Sequence, residues 1–117
     1  MIAETKSPAG PAKLRHDLDL SRERMARLVD VSAKTVERWE ERDGLPDRAS
    51  YRVISQFAQL REIRDLGLIV LTPAGFRLFL RSSLPALGGR TPLQAIEQGD
   101  GDRVLGILAG LYEGLGG

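Results

Sequence analysis

Apolar residues recur along this chain at three- and four-residue intervals, in short runs separated by Asp, Ser, Gly and Pro, and that period predicts helices. The first clear run is Met25, Ala26, Leu28 and Val29. Ser21 precedes it, and its hydroxyl suits an N-cap, accepting from an early backbone N–H. The run stops at Asp30-Val31-Ser32, where Ser32 is expected to cap a second helix that turns Ala33, Val36 and Trp39 inward. Gly44 and Pro46 are the expected stop of that helix. Asp47 is then the expected cap of a longer helix with Tyr51, Ile54, Phe57, Ala58 and Ile63 as its apolar stripe, reaching Gly67 and bridging the two halves of the chain.

Leu68-Ile69-Val70-Leu71 reads either as a strand or as a buried connection, and the buried connection is favoured. Thr72-Pro73 and Thr91-Pro92 are both N-cap pairs with Pro at the first helical position. The first opens a helix with Phe76, Leu78, Phe79 and Leu80; the second opens a short helix with Leu93 and Ile96, closed by Gly99. Between them, residues 84–89 form a loop with Pro85 and paired glycines. A last helix from Asp102 to Tyr112 carries Val104, Leu105, Ile107, Leu108 and Leu111 as a broad apolar face. The expected organisation is a mobile arm over residues 1–12, where Ser7-Pro8-Ala9-Gly10-Pro11 has no apolar period, then regions 13–66 and 67–117.

At 117 residues the chain holds one compact domain or two small helical modules. Hydrophobic residues make up 42% of it and aromatics only 5%, so its core is to be built from Leu, Ile, Val and Ala, which favours an all-α fold. The absence of cysteine removes disulfides, Cys-ligated zinc and thiol nucleophiles. His16 is the only histidine, so no His dyad or metal cluster is available, and neither cofactor nor metal is expected. Glu23, Glu37, Glu40, Glu41 and Asp43 fit a solvated face better than a catalytic pair, with Glu40 or Glu41 within reach of an Arg. An enzyme is not expected. No apolar run approaches the roughly 20 residues that span a bilayer, and none near Met1 suits a signal peptide, so the expectation is a cytoplasmic protein without membrane contact.

The order Leu20-Ser21, Met25-Ala26, Leu28 to Ser32, then Thr35-Val36-Glu37-Arg38-Trp39 fits a helix-turn-helix. Ala26 is the small residue where the helices cross, Val31 the apolar residue of the turn, and Val36 and Trp39 the anchors of the second helix. The pattern resembles the Xre-type bacterial and phage repressors. In that geometry the N-terminal half of the second helix enters the major groove, so Ala33, Lys34, Thr35 and Arg38 are candidates for base edges and nearby phosphates. Arg22 and Ser32 suit backbone anchoring. Arg38 can read guanine bidentately, and the methyls of Ala33 and Thr35 can meet a thymine methyl.

Arg22, Arg24 and Lys34 stand in first turns, where the helix dipole favours acids, and a neighbouring phosphate would rationalise them; simple solvation is the competing reading. Ten Lys/Arg and nine Asp/Glu between Lys13 and Arg52 leave a net charge of only +1, so a lone copy is expected to bind DNA weakly and to need dimerisation or a partner.

The block Ala86-Leu87-Gly88-Gly89-Arg90-Thr91-Pro92-Leu93, followed by Gly99, Val104, Leu108 and Gly114, resembles the toxin-binding domain of the Xre/MbcA/ParS antitoxins. A looser match reaches back through Phe79-Leu80-Arg81, with Phe79 where that family favours Trp. Gly88 and Gly89 suit a tight backbone approach, and Thr91-Pro92 fixes a helix start beside Arg90. Such a loop can present a donor to another chain, or simply connect two helices. It is not a phosphate loop, since it lacks the Walker spacing and its Lys-Ser/Thr ending.

The resemblance implies a RES-domain, NAD-degrading toxin as partner, blocked by this domain and its C-terminal end. On it, Leu87, Gly88, Gly89, Arg90 and Thr91 form one toxin-binding segment, and Leu111, Tyr112, Leu115 and Gly117 form a wedge. The expected fold class is therefore all-α, an Xre-like helix-turn-helix followed by a small C-terminal helical toxin-binding domain. The expected function is an antitoxin that neutralises its toxin and represses its operon by binding operator DNA, acting as a homodimer within a hetero-oligomeric toxin–antitoxin complex. The alternative is a repressor-like transcription factor whose C-terminal half only dimerises. A third possibility is a structural adaptor with a degenerate helix-turn-helix.

Overall fold

The computed structural model describes residues 10–115; residues 1–9 of the expected arm and the wedge residue Gly117 lie outside that range. All regular structure among the described residues is helical: α1 (Pro11–Leu18), α2 (Arg22–Val29), α3 (Ala33–Arg42), α4 (Tyr51–Val70), α5 (Pro73–Leu80), α6 (Pro92–Glu97) and α7 (Gly101–Gly114). A single 3₁₀ turn, Pro85–Leu87, precedes α6. The chain forms two compact units, Met1–Ala58 and Gln59–Gly117, which divide inside α4, earlier than the boundary the sequence suggested after residue 66.

In the first unit, Ser21 and Ser32 cap α2 and α3 as their spacing predicts, accepting from Arg24 N and Thr35 N at 3.0 and 3.1 Å. All three of its short helices end on an aspartate in the left-handed region, Asp19, Asp30 and Asp43. The amide after each returns to the carbonyl five residues back, Leu20 to Arg15, Val31 to Ala26 and Gly44 to Trp39, which satisfies carbonyls left over at the helix end. Asp43, and not Gly44, is therefore the left-handed stop of α3. The core holds Leu14, Leu18, Met25, Leu28, Val29, Val36 and Trp39, and Phe57 meets Trp39 edge to face with ring centroids 6.0 Å apart.

Two sequence expectations fail at the ends of α4. Its cap is Ser50, whose Oγ accepts from Val53 N at 3.2 Å, because residues 46–49 first close a turn through Ala49 N to Pro46 O. The buried stripe of the helix is Val53, Phe57, Leu60 and Ile63, so Tyr51 and Ile54 fall off it, 85% and 43% exposed. At the other end Gly67 does not stop the helix. A Cβ there would overlap the ring of Phe76, so Gly67 is needed for the packing of α5 rather than for a turn. The helix runs on to Val70, so the run Leu68 to Leu71 is neither strand nor buried connection, and Ile69 is 64% exposed.

Pro11, read from sequence as part of the arm, occupies the first position of α1 after Gly10, where its missing N–H costs nothing.

The second unit packs α5 on α6 and α6 on α7, with Leu60, Ile63, Phe76, Leu80, Leu93, Ile96, Val104 and Leu108 buried. Both Thr-Pro starts are real caps: Thr72 Oγ1 accepts from Gly75 N, and Thr91 forms a reciprocal capping box with Gln94. The last helix begins at Gly101, one residue before the expected start, and Leu105 and Ile107 are only half-buried on it.

Candidate functional site

The candidate DNA-facing residues sit at the start of α2 and along α3. Ser32 and Thr35 are already engaged: the Ser32 hydroxyl caps α3 and shares a 2.9 Å hydrogen bond with Thr35 Oγ1. Ala33 is half-buried in the first turn of α3. Lys34 is exposed and pairs with Glu37 Oε1 at 3.3 Å. Arg22 donates from Nε to Glu40 Oε1 at 3.0 Å. Arg38 is exposed and makes no hydrogen bond or ion pair among the described residues, so within this set it alone offers an unengaged cation. Arg22 and Lys34 therefore find internal acids at helix starts, and their positions need no phosphate to account for them.

Glu40 is the electrostatic centre of this unit. Its side chain is only 5% exposed, and it receives Arg15 through two bonds, Nε to Oε2 at 2.6 Å and Nη2 to Oε1 at 3.1 Å, as well as Arg22. Burial pushes its carboxyl pKa up; hydrogen bonds from Arg15 and then Arg22 outweigh that and hold it below the ordinary carboxylate range. The sequence pointed to Glu40 or Glu41 as a partner for an Arg, and the structure selects Glu40. Arg15 also donates to Leu20 O at 3.0 Å, so one guanidinium ties the end of α1 to α3. Arg52, which no local pattern marks, reaches back from α4 to Val29 O at 3.2 Å and fixes the end of α2 at the helix-turn-helix corner.

The candidate partner-facing loop of the second unit is braced from within. Leu84 N donates to Arg90 O, Gly89 N to Leu84 O, and Ser83 Oγ to Gly89 O. Gly88 and Gly89 have φ of +70° and +88°, and a Cβ at either would meet nothing within 4 Å. They supply left-handed backbone, not the tight approach expected from sequence. Leu87 is 1% exposed and anchors the loop from below. The Thr91 side chain is taken up by its capping box.

Arg90 donates from Nε to Leu87 O, and from Nη1 to both Gln98 Oε1 and Asp100 Oδ2, each at 2.8 Å. Sequence reasoning missed Gln98 and Asp100, because no helical or turn spacing links them to residue 90.

At the end of α7, Leu111, Tyr112 and Leu115 are 43%, 40% and 68% exposed. Three large apolar side chains within little more than one turn of helix form a surface suited to burial against another chain. Among the described residues no three His, Asp or Glu side chains are grouped to hold a metal, and no helix is long and apolar enough to cross a membrane.

No protein-family model and no curated protein matches this chain. Among solved structures, it superposes with a TM-score of 0.72 on a chain of the crystal structure of the M. tuberculosis MbcT-MbcA toxin-antitoxin complex, at 23% sequence identity and over 92% of this chain and 93% of that one. At that identity the match establishes the fold: this all-helical chain shares, across nearly its whole length, the fold of a component of a toxin–antitoxin complex.

Proposed function

We propose that this protein is the antitoxin of a type II toxin–antitoxin pair, neutralising a RES-domain NAD-degrading toxin with its second unit and repressing its operon with its first. The observation that carries this reading is a fold shared over 92% of the chain with a component of a toxin–antitoxin complex. It is supported by the apolar end of α7, where Leu111, Tyr112 and Leu115 remain in solvent. In the complex these three side chains and Gly117 form the wedge, and residues 87–91 form the second contact, with Gly88, Gly89 and Arg90 facing the toxin. Leu87 and Thr91 support that loop from its base.

The first unit docks α3 in the major groove, with Arg38 at a base edge and Lys34 at a phosphate. A single copy presents few free cations, so operator affinity comes from a homodimer held within the hetero-oligomeric complex. The decisive experiment is growth rescue in cells expressing the product of the gene adjacent to this one, which this reading expects to be a RES-domain toxin. Full-length protein restores growth and suppresses NAD loss, and a chain ending at Leu111 does not. Rescue by the shortened chain removes the wedge, and failure of the full chain to rescue removes the antitoxin reading.

A further inference from the structure

Arg90 has five N–H donors in a fixed plane, and the structure accounts for three of them. Nε serves Leu87 O, and the two Nη1 hydrogens serve Gln98 and Asp100. Nη2 has no acceptor among the described residues, yet it is not sealed away from water, and the side chain as a whole keeps 26% of its surface exposed. Nη2 is thus a pair of donors without an acceptor among the described residues and not fully buried, on a guanidinium held from its other two nitrogens.

Two consequences follow from the chemistry. An arginine normally binds a carboxylate through two parallel N–H groups, on Nη1 with Nη2 or on Nε with Nη2. Here both pairings are blocked, because Nε and Nη1 are committed. Asp100 also offsets the guanidinium charge at 2.8 Å, so the field outside Nη2 is weaker than that of a lone arginine. The acceptor such a group favours is a neutral oxygen, and a backbone carbonyl is the most abundant one on a protein surface.

We propose that Asp100 and Gln98 are positioning residues that orient Arg90 so that Nη2 donates to backbone carbonyl oxygen of the protein partner. This rests on the antitoxin reading for the identity of that partner. Arg90 is already held from Nε and Nη1 in the free chain, so little of its rotamer freedom remains to be lost on contact.

The test has a free-protein arm and a binding arm. In the full-length free protein, the Arg90 Nη1–H resonances, whose hydrogens Gln98 and Asp100 accept, are protected from exchange in wild type and Asp100→Asn, which keeps an acceptor, and lose protection in Asp100→Ala. Equal protection in Asp100→Ala overturns the positioning role whatever the partner is. In the binding arm, affinity for the purified product of the adjacent gene falls about tenfold in Arg90→Ala, as expected for loss of a charged donor.

Asp100→Ala weakens binding similarly, Asp100→Asn restores most of it, and Asp100→Ala has no further effect in the Arg90→Ala background. Full additivity of the two substitutions overturns action through Arg90. Undiminished binding by Arg90→Ala overturns the donor. No binding by the wild-type chain overturns the antitoxin reading and the proposed use of Nη2 with it, while the exchange arm still reports on the clamp alone.

Discussion

In the unit formed by Met1–Ala58, Arg15, Arg22, Lys34 and Arg52 all find acceptors on the protein itself, and the α3 face that would meet DNA keeps Arg38 as its one unengaged candidate cation among the described residues. In the unit formed by Gln59–Gly117, the loop polar groups are likewise bonded internally apart from Arg90 Nη2, but the end of α7 leaves Leu111, Tyr112 and Leu115 in solvent. The first unit uses these four cations for its own architecture and leaves Tyr51 and Ile54 exposed, while the second gathers three exposed apolar side chains at one helix end.

The units also differ in how they turn corners. The first places Asp19, Asp30 and Asp43 in left-handed backbone, while the second uses Gly88, Gly89 and Gly99. An aspartate carries a Cβ cost there that glycine does not.

The strongest way to separate the units is to empty the core of one. Phe76 is fully buried, and Phe76→Ala is expected to cost about 3–5 kcal/mol, with only partial refilling of the space beside Gly67. Amide hydrogen exchange should show protection lost in α5–α7 while α2 and α3 keep theirs; equal loss in both would mean that the two units unfold as one.

Glu40→Gln is the matching break in the first unit. Removing a buried carboxylate from two arginines is expected to cost about 3 kcal/mol, the low end for such a loss because Arg22 is half in solvent. The effect should depend on pH. Because the folded-state pKa of Glu40 lies below its ordinary value of 4.5, the ion pair stabilises fully above that value, and its contribution is lost as pH falls through the lowered pKa. Thermal melts should therefore show the gap between wild type and Glu40→Gln closing on acidification below pH 4.5 and staying constant above it.

A smaller effect tests the DNA face. If Arg38 reads a base, Arg38→Ala costs about 1–3 kcal/mol of operator affinity and relaxes preference at one base pair; if it meets phosphate, the salt slope falls by about 1 without loss of preference. Gel-shift titration at several salt concentrations distinguishes the two, and an unchanged titration removes Arg38 from the interface. The smallest expected effects are at the corners: Gly88→Ala destabilises by roughly 1 kcal/mol, and Asp30→Gly stabilises by a few tenths, both read by urea titration. The same sign for both would show that the left-handed cost is not what distinguishes the corners.

Much of the fold was legible because its signals are local. Ser21, Ser32, Thr72 and Thr91 each bond an amide three residues on, and the Pro that follows each Thr fits the first helical position, so four helix starts needed no tertiary information. The start of α4 was misread where two local signals competed, with Asp47 a credible cap and Ser50 the actual one. Gly67 was misread as a stop because its role is set by the ring of Phe76 on another helix. Among the candidate site residues, sequence pointed to Arg90 and its glycines but not to Gln98 and Asp100, whose bonds to Arg90 depend on how α6 folds back.

By itself, then, the sequence determined the all-helical class, most helix starts and the inward stripes of α2, α3 and α6, because capping and helical periodicity act over three to four residues. Tertiary structure decided which charges remain available. Arg15 and Glu40 meet 25 residues apart in sequence, and Arg22 and Glu40 meet 18 apart. Pairings over such distances depend on where folded helices bring side chains within about 3 Å, a quantity that no local spacing encodes.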